Sequence, residues 1–141
     1  MTEIARTPLL ATPQAVAPFG PADAALDLAG GTPRLYIMRL PARPLRIAAI
    51  TRHARVTQCL ASATGRDWFI GLAAPDAAPS PETITVLRIP GGRALALKKG
   101  AWHAGPFFEG EEADFLNLEL SDTNEADHHT VKLDAPILIL P

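Results

Sequence analysis

The sequence predicts an all-β chain, a small antiparallel barrel of about nine short strands. Three observations lead there. The 14 prolines are spread along the whole chain, about twice the average usage of ~5%, and proline breaks helix interiors. Several runs alternate with the period of two that marks a strand with one buried face. Glycine and proline turn signals recur every ~8–12 residues, the spacing of short strands in a sandwich or barrel.

The elements follow in order. Residues 1–32 form a Pro/Ala-rich entry segment. Within it, Thr12–Ala17 is expected to form a short helix or turn, with Thr12 as N-cap and Pro13 at the first helical position. Gly30-Gly31-Thr32-Pro33 reads as a turn, and the barrel is expected over 33–134. Arg34–Leu40 alternates, with Leu35, Ile37 and Arg39 on one face; Leu45–Thr51 follows. Val56–Leu60 and Asp67–Ala73 are expected as strands joined by a hairpin loop at Ser62–Arg66. Ala74–Glu82 reads as an exposed loop. Ile84–Ile89 and Ala94–Leu97 are short strands ended by glycines. Asp114–Leu120 alternates strictly, with Leu116, Leu118 and Leu120 opposite Phe115, Asn117 and Glu119. His129–Leu133 closes the barrel, and residues 135–141 are an apolar tail.

Composition narrows the function classes. At 141 residues the chain is one domain. With 48% hydrophobic and 20% charged residues it is not a disordered chain. A net charge of -2 argues against a nucleic acid partner, since phosphate-gripping proteins are usually basic. Cys59 is the single cysteine, so an internal disulfide is impossible; it reads as a small buried hydrophobe. No run reaches the ~20 apolar residues of a membrane span, and the start lacks the apolar core of a signal peptide. A cytoplasmic protein without membrane partners is expected.

The histidines are where chemistry would sit. His53 and Gln58 are five apart, which in a flat strand puts them on opposite faces. They converge only if a bulge or bend falls at Ala54–Arg55; otherwise they are a strand-end histidine and an exposed amide. Trp102 and His103 should point oppositely, one packing and one facing a cavity, between Gly100 and Gly105, which permit tight backbone. Asn117 and Glu119 mean little if they face solvent. Facing a barrel interior they need partners, because an unpaired buried carboxylate is costly. Asp127, His128 and His129 read as a solvated loop. Arg52, Arg55, Arg88, Arg93, Lys98 and Lys99 read as surface charges from which an anion site could recruit one or two.

Taken in order, Ala17-Pro18-Phe19-Gly20, Arg52-His53 with Gln58, Trp68-Phe69-Ile70-Gly71-Leu72-Ala73-Ala74-Pro75, Gly100-Ala101-Trp102-His103 and Asp114-Phe115-Leu116 resemble the ureidoglycolate lyase family, a branch of the cupin superfamily. The resemblance covers about Pro8 to Asp134. It departs after Trp102-His103, where this chain has Ala104-Gly105-Pro106, and Asn117–Asn124 resembles a subgroup of its own.

The resemblance implies a cupin barrel in which His53 and Gln58 point inward across a bend and Gly100-x-x-His103 supplies a second inward histidine. It implies cleavage of a ureido-hydroxy acid to glyoxylate and urea by acid–base chemistry. His103 or Glu119 would be the base and His53 the acid. Gln58 and Asn117 would hold the ureido group, and Arg52 or Lys99 the carboxylate. No cofactor is implied outright; a divalent metal, where cupins bind one, would fall to His53, Gln58 and His103, with Gln58 a poorer ligand than a carboxylate. The rival reading is a small-molecule-binding barrel without this catalysis. A homodimer is expected, from the edge strands of a small barrel and the apolar Ile137–Leu140 run.

Overall fold

The computed structural model describes residues 8–141. The expectation that the chain start carries no leader falls partly on residues 1–7, outside the described residues. Ten strands follow one another: β1 (Pro8–Ala11), β2 (Pro33–Pro41), β3 (Arg46–Arg52), β4 (Gln58–Ser62), β5 (Trp68–Ala73), β6 (Thr85–Ile89), β7 (Ala94–Leu97), β8 (Trp102–Phe107), β9 (Glu112–Leu120) and β10 (His129–Leu138). One helical turn, α1 (Thr123–Ala126), lies between β9 and β10. No helix among the described residues is long and apolar enough to cross a membrane.

The strands form two five-stranded sheets, ordered β1-β7-β4-β9-β2 and β10-β3-β8-β5-β6. Every pairing is antiparallel. This is the small antiparallel architecture that the proline spacing and period-two runs predict, and it agrees with the cupin fold that the resemblance implies.

Two cores hold it. Trp68, Ile70 and Leu72 of β5 point between the sheets and pack with Leu60, Leu95, Leu97, Phe115 and Phe108. Each fully buried large side chain there contributes about 1.5–3 kcal/mol. Strand alternation turns Phe69 and Ala73 to the opposite face. There they join Ile47, Ile50, Trp102, Phe107 and Ile139 in a second cluster. That cluster comes entirely from second-sheet strands and their connections, so the second sheet is covered on both faces. The first sheet is not: Leu35 (67% exposed), Ile37 (62%) and Leu116 lie open on its outer face.

Several expectations are corrected. No helix forms over Thr12–Ala17; a segment this short and proline-rich cannot repay helix nucleation. A turn follows instead, where Asp23 donates its amide to Gly20 O and accepts the Gly20 amide on its carboxylate. β4 and β5 are not a hairpin. β4 pairs with β7 and β9, β5 with β6 and β8, so Ser62–Arg66 is a corner between sheets, with Ser62 Oγ accepting the Thr64 and Arg66 amides. The Ala74–Glu82 loop is not simply exposed, because Ala74 is buried and Ala77 packs on the second cluster. β1 and β8 escaped notice: β1 is four residues long, and Gly105-Pro106 reads as a break in β8. The tail is largely strand. β10 runs to Leu138 through an irregularity between Lys132 and Ile137, and Ile139 is buried in its own chain while Leu138 and Leu140 stay exposed.

Candidate active site

The interior divides in two. The apolar core fills the side under β5, β6 and β7. Between β2, β4 and β9 on one sheet and β3 and β8 on the other lies a half-open cavity of about 470 Å³, with Arg43, Arg46, Ala48, Asn124 and His128 exposed at its rim. Tyr36, Met38 and Leu40 line it from β2, Ala48 and Thr51 from β3, Gln58 and Leu60 from β4, His103 and Ala104 from β8, and Asn117 from β9.

His53 follows β3 directly, and the backbone bends at Ala54–Arg55. Asp127 sets that bend: its two carboxylate oxygens accept the Ala54 and Arg55 amides, each at 2.8 Å. The carbonyl of the same residue lies 2.6 Å from His53 Nδ1. A carbonyl only accepts, so Nδ1 carries a proton, and in the neutral tautomer Nε2 is the nitrogen with the lone pair. The bend brings His53 and Gln58 to one cavity despite their odd spacing.

Gly100 (φ 79°) and Gly105 (φ 125°) bracket the other histidine in left-handed backbone, which costs glycine little. Between them Trp102 turns out into the second cluster and His103 turns in. The rings of His53 and His103 stand 5.0 Å apart, centre to centre. Burial, and then the charge of nearby His53, push the pKa of His103 from 6.5 down to about 3. His103 is therefore neutral near pH 7.

The cavity floor is a chain of amides. Gln58 Nε2 donates to Asn117 Oδ1 at 3.1 Å. Asn117 Nδ2 lies within hydrogen-bonding distance of Tyr36 Oη and Glu119 Oε1, and Asn124 Nδ2 donates to the same Glu119 oxygen. The inward face of β9 is thus the one bearing Phe115, Asn117 and Glu119. Glu119 is fully buried but absent from the cavity wall; it stands behind Asn117. Gln58 Oε1 and Glu119 Oε2 are buried with no protein partner.

Two expected residues lie elsewhere. The Arg52 guanidinium stacks over Trp102 at 4.8 Å and reaches Pro75 O. Lys99 pairs with Asp27. Neither lines the cavity, because both side chains are drawn to partners on other surfaces. The cations that do line it are Arg43 and Arg46, which sequence reasoning missed; Arg43 between Pro41 and Pro44 read as loop. His128 was also misjudged as loop. It lines the cavity mouth with its ring 5.5 Å from that of His53. Tyr36 and Asn124 were overlooked as well; Tyr36 is legible once Leu35 and Ile37 are known to face outward.

The donors do not suit a resident divalent cation. Gln58 offers a neutral amide oxygen, a poorer ligand for such an ion than a carboxylate. Among the described residues no three His, Cys, Asp or Glu side chains are placed to hold an ion.

Residues 15–139 match the family described as ureidoglycolate lyase. A ureidoglycolate lyase of Azotobacter vinelandii is 26% identical over 106 residues, 74% of this chain. The chain spans 64% of the length of that relative. A match running over nearly all of a barrel whose paired inward histidines fit the motifs that suggested it leaves a plain assignment: the chain belongs to the ureidoglycolate lyase family.

Proposed function

We propose that the protein is a lyase that cleaves a ureido-hydroxy acid to glyoxylate and urea. The observation that carries this reading is the His53 arrangement, an imidazole with Nδ1–H locked and Nε2 free beside a neutral His103. In the proposed step, His53 Nε2 takes the substrate hydroxyl proton. The carbonyl of glyoxylate forms as the carbon–nitrogen bond breaks, and the bonding pair stays on the urea nitrogen. The same His53 Nε2 then returns its proton to that nitrogen. One histidine thus serves as base and acid, replacing the division between His103 or Glu119 as base and His53 as acid. His103, held near pKa 3, is a weak base at neutral pH; being neutral, it does not oppose the charge formed transiently on His53.

Gln58 and Asn117 supply the complementary donors and acceptors for the ureido group. Glu119 is a positioning residue, fixing the Asn117 amide. The substrate carboxylate is drawn in by His128 at the mouth and by the field of Arg43 and Arg46, in a cavity with no Asp or Glu in its wall. The test is urea release from ureidoglycolate. Wild-type protein should turn over with or without chelator, and His53→Ala should lose ~10²–10⁴-fold. No urea from the wild type overturns the proposal.

A further inference from the structure

The cavity is longer than this chemistry needs. β3 forms one wall along its whole length, contributing Arg46, Ala48, Ala49 and Thr51, with His53 just beyond its end. Seven steps of ~3.3 Å put Arg46 and His53 at most about 23 Å apart along the chain. Antiparallel β8 agrees. His103 lies opposite Thr51 near the histidine end, and Pro106 and Phe107 lie toward the arginine end. The cavity's 470 Å³ equals the liquid volume of roughly 15 waters, well beyond a two-carbon acid bearing one ureido group.

The lining changes character along this axis. Histidines and amides occupy one end. Met38, Ala48, Ala49 and Ala104 make the middle apolar. Arg43 and Arg46 stand at the other end. Arg43 is held in place: it donates to Pro106 O at 3.1 Å, and its guanidinium lies 4.6 Å over the Phe107 ring. Arg39, Arg55, Arg88 and Lys99 each have a carboxylate partner. Arg43 and Arg46 have none, as is true of Arg34, Arg52, Arg66, Arg93, Lys98 and Lys132 among the described residues, but of these cations only Arg43 and Arg46 line the cavity.

We infer that the cavity binds an elongated carboxylate: its anionic end on Arg43 and Arg46, an aliphatic spacer along Met38, Ala48 and Ala49, and a hydrogen-bonding head group at the histidines. It goes beyond the reading above: ureidoglycolate carries its carboxylate on the reacting carbon, so the elongated acid is a further ligand that reaches the same histidine end. A planar guanidinium pair suits a carboxylate, which accepts two parallel N–H bonds from one arginine. Both guanidiniums stand at the exposed rim of the cavity, with Ala48, Ala49 and Met38 between them and the histidines. The ligand class is therefore a linear acid whose anionic end is held away from the histidines.

The test is calorimetry on the full-length protein with linear α,ω-dicarboxylates, from succinate through adipate and suberate to sebacate. Affinity should rise with chain length until both ends are engaged. The Arg43→Gln/Arg46→Gln double variant should bind the best diacid about tenfold or more weakly and lose the length dependence. Arg39→Gln, whose charge is paired outside the cavity, should bind like the wild type. Circular dichroism on each variant separates misfolding from lost contacts. Equal affinity for succinate and sebacate, or an unchanged double variant, overturns the inference. Urea release is scored separately. Length-dependent binding without urea release removes the lyase reading alone, and urea release without length dependence removes this inference alone.

Discussion

Acid should destabilise this protein through one identifiable imidazole. His103 is buried, and its pKa falls from 6.5 to about 3, first because burial penalises the charged ring and next because His53 is near. Above pH 6.5 the ring is neutral folded and unfolded, and it contributes nothing to pH dependence. Below 6.5 the unfolded chain takes up a proton that the folded chain refuses. Stability is therefore lost as pH falls, across the window from 6.5 toward about 3. The slope is about 1.4 kcal/mol per pH unit. Between pH 7 and pH 4 this one group removes about 3 kcal/mol, a large part of a typical 5–15 kcal/mol total. His103→Gln keeps a polar side chain but has nothing to titrate. Urea melts of both proteins at pH 7, 6, 5 and 4 isolate the effect, because every other carboxylate and histidine is common to the two. The gap between wild type and variant should shift by about 3 kcal/mol in favour of the variant as pH falls to 4. Parallel pH dependences would show that the ring is protonated in the folded state and would refute the reasoning.

Other outcomes follow from the same geometry. His128→Ala should reduce turnover of ureidoglycolate, though less than His53→Ala, because His128 lines the cavity mouth and not its floor; turnover equal to the wild type would remove it from the site. Asp127→Ala deprives two backbone amides of their acceptor and should cost about 1–3 kcal/mol in chemical denaturation; an unchanged midpoint would show that the bend after His53 holds itself. Trp68→Ala should cost about 3–5 kcal/mol, and a loss under 1 kcal/mol would mean that the inter-sheet core is loosely packed. We propose that the chain forms a homodimer through the bare outer face of the first sheet, since Ile139 is spent on its own barrel. Light scattering should then show a dimer that Leu35→Lys/Ile37→Lys converts to monomer, and a monomeric wild type at tens of micromolar would end the idea.

Much of the barrel was legible because its signals are local. Alternation in Asp114–Leu120 and the prolines bracketing β2 need no knowledge of the rest of the chain. Pairing was less legible. Ser62–Arg66 has hairpin composition, yet β4 and β5 part there because each finds its neighbours elsewhere. At the site, His53, Gln58, His103 and Asn117 could be named from motif and parity. Arg43 and His128 could not, since they lie in connections with no period, and Arg46 could not because it opens a strand whose inward face only the fold reveals. Arg52 and Lys99 failed for the matching reason: their partners, Trp102 and Asp27, are invisible in the local sequence.

The contacts between Asp127 and the bend after His53 span 72 to 74 residues of chain. During synthesis, β3 is finished long before β10, its outer neighbour in the second sheet, exists. At ~5–20 residues per second, some 75 residues take roughly 4–15 s to make. For that time β3 is a bare edge, open to the wrong strand of another chain. His53 meanwhile has neither its carbonyl partner nor the carboxylate that shapes the turn beside it. The candidate pocket is thus one of the last features to form on the ribosome, completed by the segment that also closes the sheet. Nascent chains stalled before residue 123 should carry most of the apolar core and none of the activity.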